Sequence, residues 1–272
     1  MKRIQKGFFM MMNKRLSCLV VTVALTVMLG AVPAFGGHPL ITDDTGTQGK
    51  GKTQIELTGQ YDHDDEKGVK SENWEAKAAL SYGLFDSLDL VLETPYSWTS
   101  TKDSEGTIRN DGPADLSFSM KWRFFEYEGL SFALKPSVTL PTGDEDKGLG
   151  NGQSSYGITT IATYAKDPWA FHFNLGITHN DYKLPADEDA NRRDIWSASF
   201  ATELQVAKRV RLVANVGMER NSDVESDTHP VFALGGVIYS LTESIDIDAG
   251  VKWGISSPEP DISFLAGLAF RF

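Results

Sequence analysis

From Asp115 to Phe124 the chain alternates without a break. Leu116, Phe118, Met120, Trp122 and Phe124 fall on one side of an extended backbone, and Asp115, Ser117, Ser119, Lys121 and Arg123 on the other. A period of two places each set on its own face of a sheet. Leu130–Leu140 repeats the pattern, with Leu130, Phe132, Leu134, Val138 and Leu140 against Ser131, Lys135, Ser137 and Thr139. Ile245–Trp253 does so again, with Asp246, Asp248 and Lys252 on the polar face. About twelve segments of roughly ten residues follow this rule, the length a tilted strand needs to cross a bilayer. They are 52–61, 73–82, 88–99, 114–124, 130–140, 155–164, 169–179, 194–206, 209–219, 230–240, 245–253 and 261–272. Segment 230–240 is ambiguous in phase, with Gly235 and Gly236 at its centre.

The connections alternate in length. Those at 62–72, 100–113, 141–154, 180–193, 220–229 and 254–260 are long; Gly83–Ser87, Phe125–Gly129, Ala165–Pro168, Ala207–Lys208 and Leu241–Ser244 are short. Such sorting fits a barrel with short periplasmic turns and longer external loops. With odd strands running upward, Trp74, Trp98, Trp196 and Trp253 fall near external strand ends, and Trp122 and Trp169 near periplasmic ones. Tyr82, Tyr96, Tyr164 and Tyr239 are similarly placed. Trp and Tyr favour the headgroup level, where one part of the ring is apolar and another hydrogen-bonds. A general preference of strands for aromatics would scatter the rings along the strands.

These patterns predict an all-β fold: a single transmembrane antiparallel up-and-down β-barrel of about twelve strands over 52–272, monomeric, in a bacterial outer membrane. Only a closed sheet satisfies every backbone group in lipid, so the first and last strands must pair.

Residues 1–36 read as a secretory signal peptide, removed on export. Lys2, Arg3, Lys6, Lys14 and Arg15 precede an apolar run from Cys18 to Leu29, and small residues follow, with cleavage expected after Ala34 or Gly36. The basic tail is unusually long, which leaves Met10, Met11 and Met12 as alternative starts. Cys18 is the one cysteine, so the mature chain has no thiol for a disulfide, a nucleophile or a metal. Losing five basic residues moves the formal charge from -11 to -16. Such acidity argues against a nucleic-acid partner. It suits a surface among outer-membrane lipids and lipopolysaccharide bridged by divalent cations. Residues 37–51 are polar and glycine-rich, lack a strand pattern, and read as a periplasmic extension or a plug of the lumen.

The inward faces should carry Glu56, Glu75, Lys77, Asp89, Glu93, Asp115, Lys121, Arg123, Lys135, His172, Glu203, Arg211, Glu219, Asp246, Asp248, Lys252 and Arg271. Buried charges of both signs need partners or water. They form either a salt-bridged filling or a lining that selects solutes by field and size. In loop 141–154, Asp144, Glu145 and Asp146 are candidates for a constriction or a Ca²⁺ site, against the plainer reading of an external loop. Gly148, Gly150 and Gly152 are not a phosphate cradle, since no helix follows them. His38, His63, His172, His179 and His229 show no close metal-ligand spacing, and no metal or cofactor is expected. Asp187-Glu188-Asp189 with Arg192-Arg193 reads as a solvated loop. His179 would serve a lipid hydrolase only with a serine at the outer rim. Ser197 and Ser199 lie one strand away but point inward, so no catalytic residue is assigned.

Several motifs resemble one family in order along the chain. They are His38–Gly51, Gly112-Pro113-Ala114-Asp115-Leu116, Leu140-Pro141-Thr142-Gly143-Asp144, and Tyr239–Gly250. The family is that of the MetA pathway of phenol degradation. Asp115 departs from its pattern in following Ala114 where Gly is expected. The resemblance implies an outer-membrane channel or transporter for passive uptake of small solutes, aromatic or hydrophobic ones among them. A lipid-modifying barrel enzyme and a plugged structural or adhesive barrel are the alternatives. The last strand, with Phe264, Ala266, Leu268, Phe270 and Phe272, resembles the closing strand of outer-membrane proteins in general. That likeness implies that the barrel-assembly machinery reads Phe272.

Overall fold

A computed structural model describes residues 37–66 and 68–272. The expected signal peptide and its alternative starts lie outside them.

Thirteen strands are present: β1 (Thr53–Glu66), β2 (Val69–Phe85), β3 (Leu88–Lys102), β4 (Thr107–Pro113), β5 (Leu116–Tyr127), β6 (Leu130–Leu140), β7 (Ser155–Lys166), β8 (Trp169–His179), β9 (Asp194–Ala207), β10 (Val210–Glu219), β11 (Val231–Ser240), β12 (Ile245–Gly254) and β13 (Ile262–Arg271). Every pairing is antiparallel. β1 pairs with β13 from Gln54↔Arg271 to His63↔Ile262, which closes the ring. Thr53 and Phe272 exchange two backbone hydrogen bonds at the seam, of 2.8 and 3.1 Å. Closure removes the sheet edges that lipid could not hydrogen-bond.

Twelve strands form the ring, and β4 is additional. β3 is long enough to pair twice, with β5 over Leu88–Glu93 and with β4 over Tyr96–Lys102. The sequence pattern treats 62–72 and 100–113 as loops. Instead β1 and β2 run to Glu66 and from Val69, and β3 and β4 turn within 103–106. Pairs such as Ser71↔Thr101 and Glu72↔Ser100 explain the difference. These strand ends are polar on both faces, so their ladder continues with no hydrophobic alternation to mark it.

Burial is inverted relative to a water-soluble protein. Asp89 and His172 are 0% exposed and Glu203 1%, while Leu57, Leu175, Leu212, Val216 and Phe264 face outward. Charged residues are rarely fully buried in soluble proteins unless paired. Lipid outside and a polar interior produce this arrangement. All six tryptophans lie on the outer surface, from 37% exposed at Trp196 to 57% at Trp74.

Candidate functional site: the occupied lumen

Residues 37–51 thread the interior of the ring. Pro39, the glycines and the adjacent acids Asp43 and Asp44 disfavour a regular strand. Their backbone groups must then be satisfied by the wall. Asn215 of β10 accepts from the amides of Ile41 (2.8 Å) and Thr42 (3.0 Å), and its own amide donates to the Thr42 hydroxyl at 2.7 Å. Thr42 Oγ1 donates to Ser199 of β9. The Thr45 amide donates to Thr163 of β7 at 3.1 Å, and its hydroxyl bonds Ser131 of β6 at 2.5 Å. The Gln48 amide donates to Asp89 Oδ2 at 2.9 Å, and the Lys50 amide to Asp86 Oδ1 at 3.0 Å.

Two close approaches seat this segment. Pro39 is fully buried against Gly236 and Gly250, paired residues of β11 and β12. A β-carbon on either would lie within 3 Å of the proline ring. The ambiguous phase of 230–240 thus marks a place where the wall gives up side chains. Gly83 of β2 meets the carbonyl of Gly49, where a β-carbon would come to 1.9 Å. Leu40 packs on a small apolar cluster of Phe232, Leu234 and Leu265.

Asp43 is the electrostatic centre. Lys121 Nζ of β5 lies 3.0 Å from its Oδ1, and Lys135 Nζ of β6 lies 2.9 Å from its Oδ2. Lys121 also donates to the Asp44 carbonyl at 3.3 Å. A second network belongs to the wall alone. Thr163, His172, Glu203, Arg211, Asp246, Arg271 and Gln54 connect in that order through contacts of 2.9–3.2 Å. Apart from it, His38 of the segment bonds Asp248 of β12 at 2.5 Å.

The remaining expected lining residues distribute as follows. Lys77 pairs with Glu93 at 3.4 Å and Lys252 with Glu259 at 2.5 Å. Glu56 is half-buried beside the segment, and Glu75 is half-buried on β2. Arg123 reaches the carbonyl of Asp86 in the β2–β3 turn (3.2 Å), and Glu219 is exposed at the external end of β10. Asp115 is a correction. It lies in the break between β4 and β5, where it accepts from the amides of Gly143 (2.9 Å) and Asn151 (3.0 Å) and braces loop 141–154.

Glu145–Lys147 is one turn of 3₁₀ helix. Asp144 pairs with Lys147 and Glu145 with Lys183, and among the described residues no three His, Cys, Asp or Glu are grouped to hold a metal ion. His179 bonds Asp194 at 2.7 Å in the open, while Ser199 faces the lumen segment. Asp187 and Glu188 lie on a short helix, α1 (Pro185–Ala190). Arg192 beyond it donates to carbonyls of loop 220–229. The sequence reading missed Asp43, Asp44 and Asn215. An acidic pair between two threonines, in the polar stretch before the first strand, was the available signal.

A cavity of about 420 Å³ remains between the segment and the wall of β1, β2, β3, β5, β6, β12 and β13. It is lined by Asp43, Asp44, Glu56, Thr58, Gln60, Lys77, Glu93, Lys121 and Lys135 among others, and by no Phe, Tyr or Trp of the described residues.

A closed, lipid-facing barrel with a charged, partly filled lumen defines the class: a transmembrane β-barrel of the outer-membrane type. The first solved structures it resembles are channels and porins rather than enzymes. The COG4313 outer membrane channel from Pseudomonas putida F1 superposes with a TM-score of 0.67 at 14% identity, covering 84% of this chain and 98% of that one. The NanC porin gives 0.57 at 10% identity, covering 79% and 98%. The KdgM porin gives 0.51 at 7%, covering 80% and 99%. No curated protein matches the sequence. Residues 37–272 match the family described as "Putative MetA-pathway of phenol degradation", and the chain belongs to that family. It is a protein of the bacterial outer membrane.

Proposed function

We propose that the mature chain is a passive channel for small solutes whose lumen is narrowed by residues 37–51. Cleavage of 1–36 releases that segment as the N-terminus. The barrel of 52–272 acts as a monomer among outer-membrane lipids and lipopolysaccharide, and the assembly machinery reads Phe272. The observation that carries this reading is the cavity of about 420 Å³ inside a closed barrel, with charged and polar side chains prominent in its wall. Polar groups that hydrogen-bond a passing solute replace part of its hydration, and the bore sets a size limit. The charged lining favours hydrophilic solutes, although the family's name points to aromatic compounds. Swelling of proteoliposomes in solutes of graded size is the test. Uptake of the smallest and exclusion of larger ones is expected. Folded protein that passes none, with or without residues 38–48, would leave the plugged structural barrel as the correct reading.

A further inference from the structure

We propose that Asp43 occupies a binding site for a small carboxylate, formed by Lys121 and Lys135, and holds it as a built-in stand-in for the solute. The inference rests on the channel reading above. Each carboxylate oxygen of Asp43 is taken by one ammonium, at 3.0 and 2.9 Å, so the pair grips a carboxylate through both oxygens.

The wall does not supply this anion itself. Lys77, Lys252 and Arg211 are paired with Glu93, Glu259 and Glu203. Lys121 and Lys135 instead flank the cross-strand pair Trp122↔Leu134, so two like charges sit side by side. Adjacent like charges repel, and partly desolvated ammonium groups need an anion. Asp89 is the register partner of Lys121, yet it makes no ion pair with it and accepts from Gln48 of the segment. When the segment leaves, both lysines lose their main counter-charge together.

Space for a replacement adjoins the site. Asp43, Lys121 and Lys135 all border the 420 Å³ cavity. Its lining mixes polar groups such as Thr58 and Gln60 with aliphatic ones such as Val91 and Leu265. The fit is a single carboxylate on a compact body, entering as Asp43 withdraws.

Planar-bilayer recording on the purified full barrel tests this, with acetate as the probe. Asp43→Asn should raise conductance several-fold and move the reversal potential in a KCl gradient toward chloride. Acetate should then reduce the chloride current. Adding Lys121→Gln and Lys135→Gln should cancel both effects, with heat-modifiable gel migration showing the barrel folded. A conducting Asp43→Asn barrel with no anion preference and no acetate effect overturns the site and leaves the channel reading standing. Folded protein that conducts in neither form overturns both. A second measurement uses the unaltered chain, in case Asp43→Asn does not fold. Acetate should compete with Asp43 and raise conductance above that in equal chloride, and neutral acetamide should not. Equal responses to all three contradict the site.

Discussion

Asp43 and Lys135 meet at 2.9 Å inside the barrel, one on a segment that belongs to no strand and the other at the middle of β6. This contact and its neighbour at Lys121 tie the segment to the wall through charge. Hydrogen bonds to Asn215, Thr163 and Asp89 tie it through polarity.

Removing the carboxylate should therefore cost stability as well as occlusion. Breaking a buried ion pair leaves an uncompensated charge and costs about 3–5 kcal/mol, an upper bound where water can enter. Asp43→Ala should unfold at a lower temperature in detergent, followed by loss of heat-modifiable migration. Lys135→Met in the same background should restore part of the loss, since it removes one orphaned charge. Unchanged unfolding in Asp43→Ala would show that the pair holds nothing.

Glu203 should matter more than its single position suggests. It is 1% exposed and serves His172 and Arg211 at once, at 3.2 and 2.9 Å. Hydrogen bonds to charged groups contribute about 1.5–3 kcal/mol each. Glu203→Ala should destabilise by several kcal/mol, and Glu203→Gln by less because it keeps one acceptor. Equal losses measured by thermal denaturation would refute the network's role.

Gly83 allows the segment to pass. Gly83→Val would drive a side chain into the carbonyl of Gly49. The barrel should still close, since β2 keeps its ladder to β1 and β3. The segment should loosen, read as faster proteolysis before residue 53 and higher conductance. Unaltered cleavage and conductance would mean that the contact does not seat it.

The external loops carry a pH signature. The hydrogen bond from Lys183 holds the Glu145 carboxyl below its ordinary range, and Glu145 holds the Lys183 ammonium above its own. A lowered carboxyl stabilises the folded loop above its unfolded pKa, and the contribution fades as pH falls through the lowered value. Both groups are exposed, so the effect is local. NMR titration of Glu145 should give a depressed midpoint that returns to the ordinary range in Lys183→Gln. A midpoint unmoved by that substitution would contradict the pair.

The architecture was legible where chemistry alternates. The strand around Leu116–Phe124, the closing strand to Phe272 and the rim tryptophans all follow from lipid on one face and water on the other. What lay beyond the membrane was not. Ser71–Glu72 and Ser100–Thr101 extend the sheet with polar groups on both faces, which leaves no period to read. Asp115 carried the inward phase but lies at a strand break, where the backbone turns it toward Gly143 and Asn151. The course of 37–51 was illegible for another reason. Its fold is set by side chains of the wall, such as Asn215 and Lys121, that are distant in sequence.

Single-channel conductance most directly tests whether this barrel is a channel narrowed by its own N-terminal segment. The full protein and a variant lacking residues 38–48 would be recorded in the same planar bilayers, both shown folded by gel migration. The account predicts small currents from the full protein and currents several-fold larger from the shortened one. Equal currents, or none from either, would contradict it.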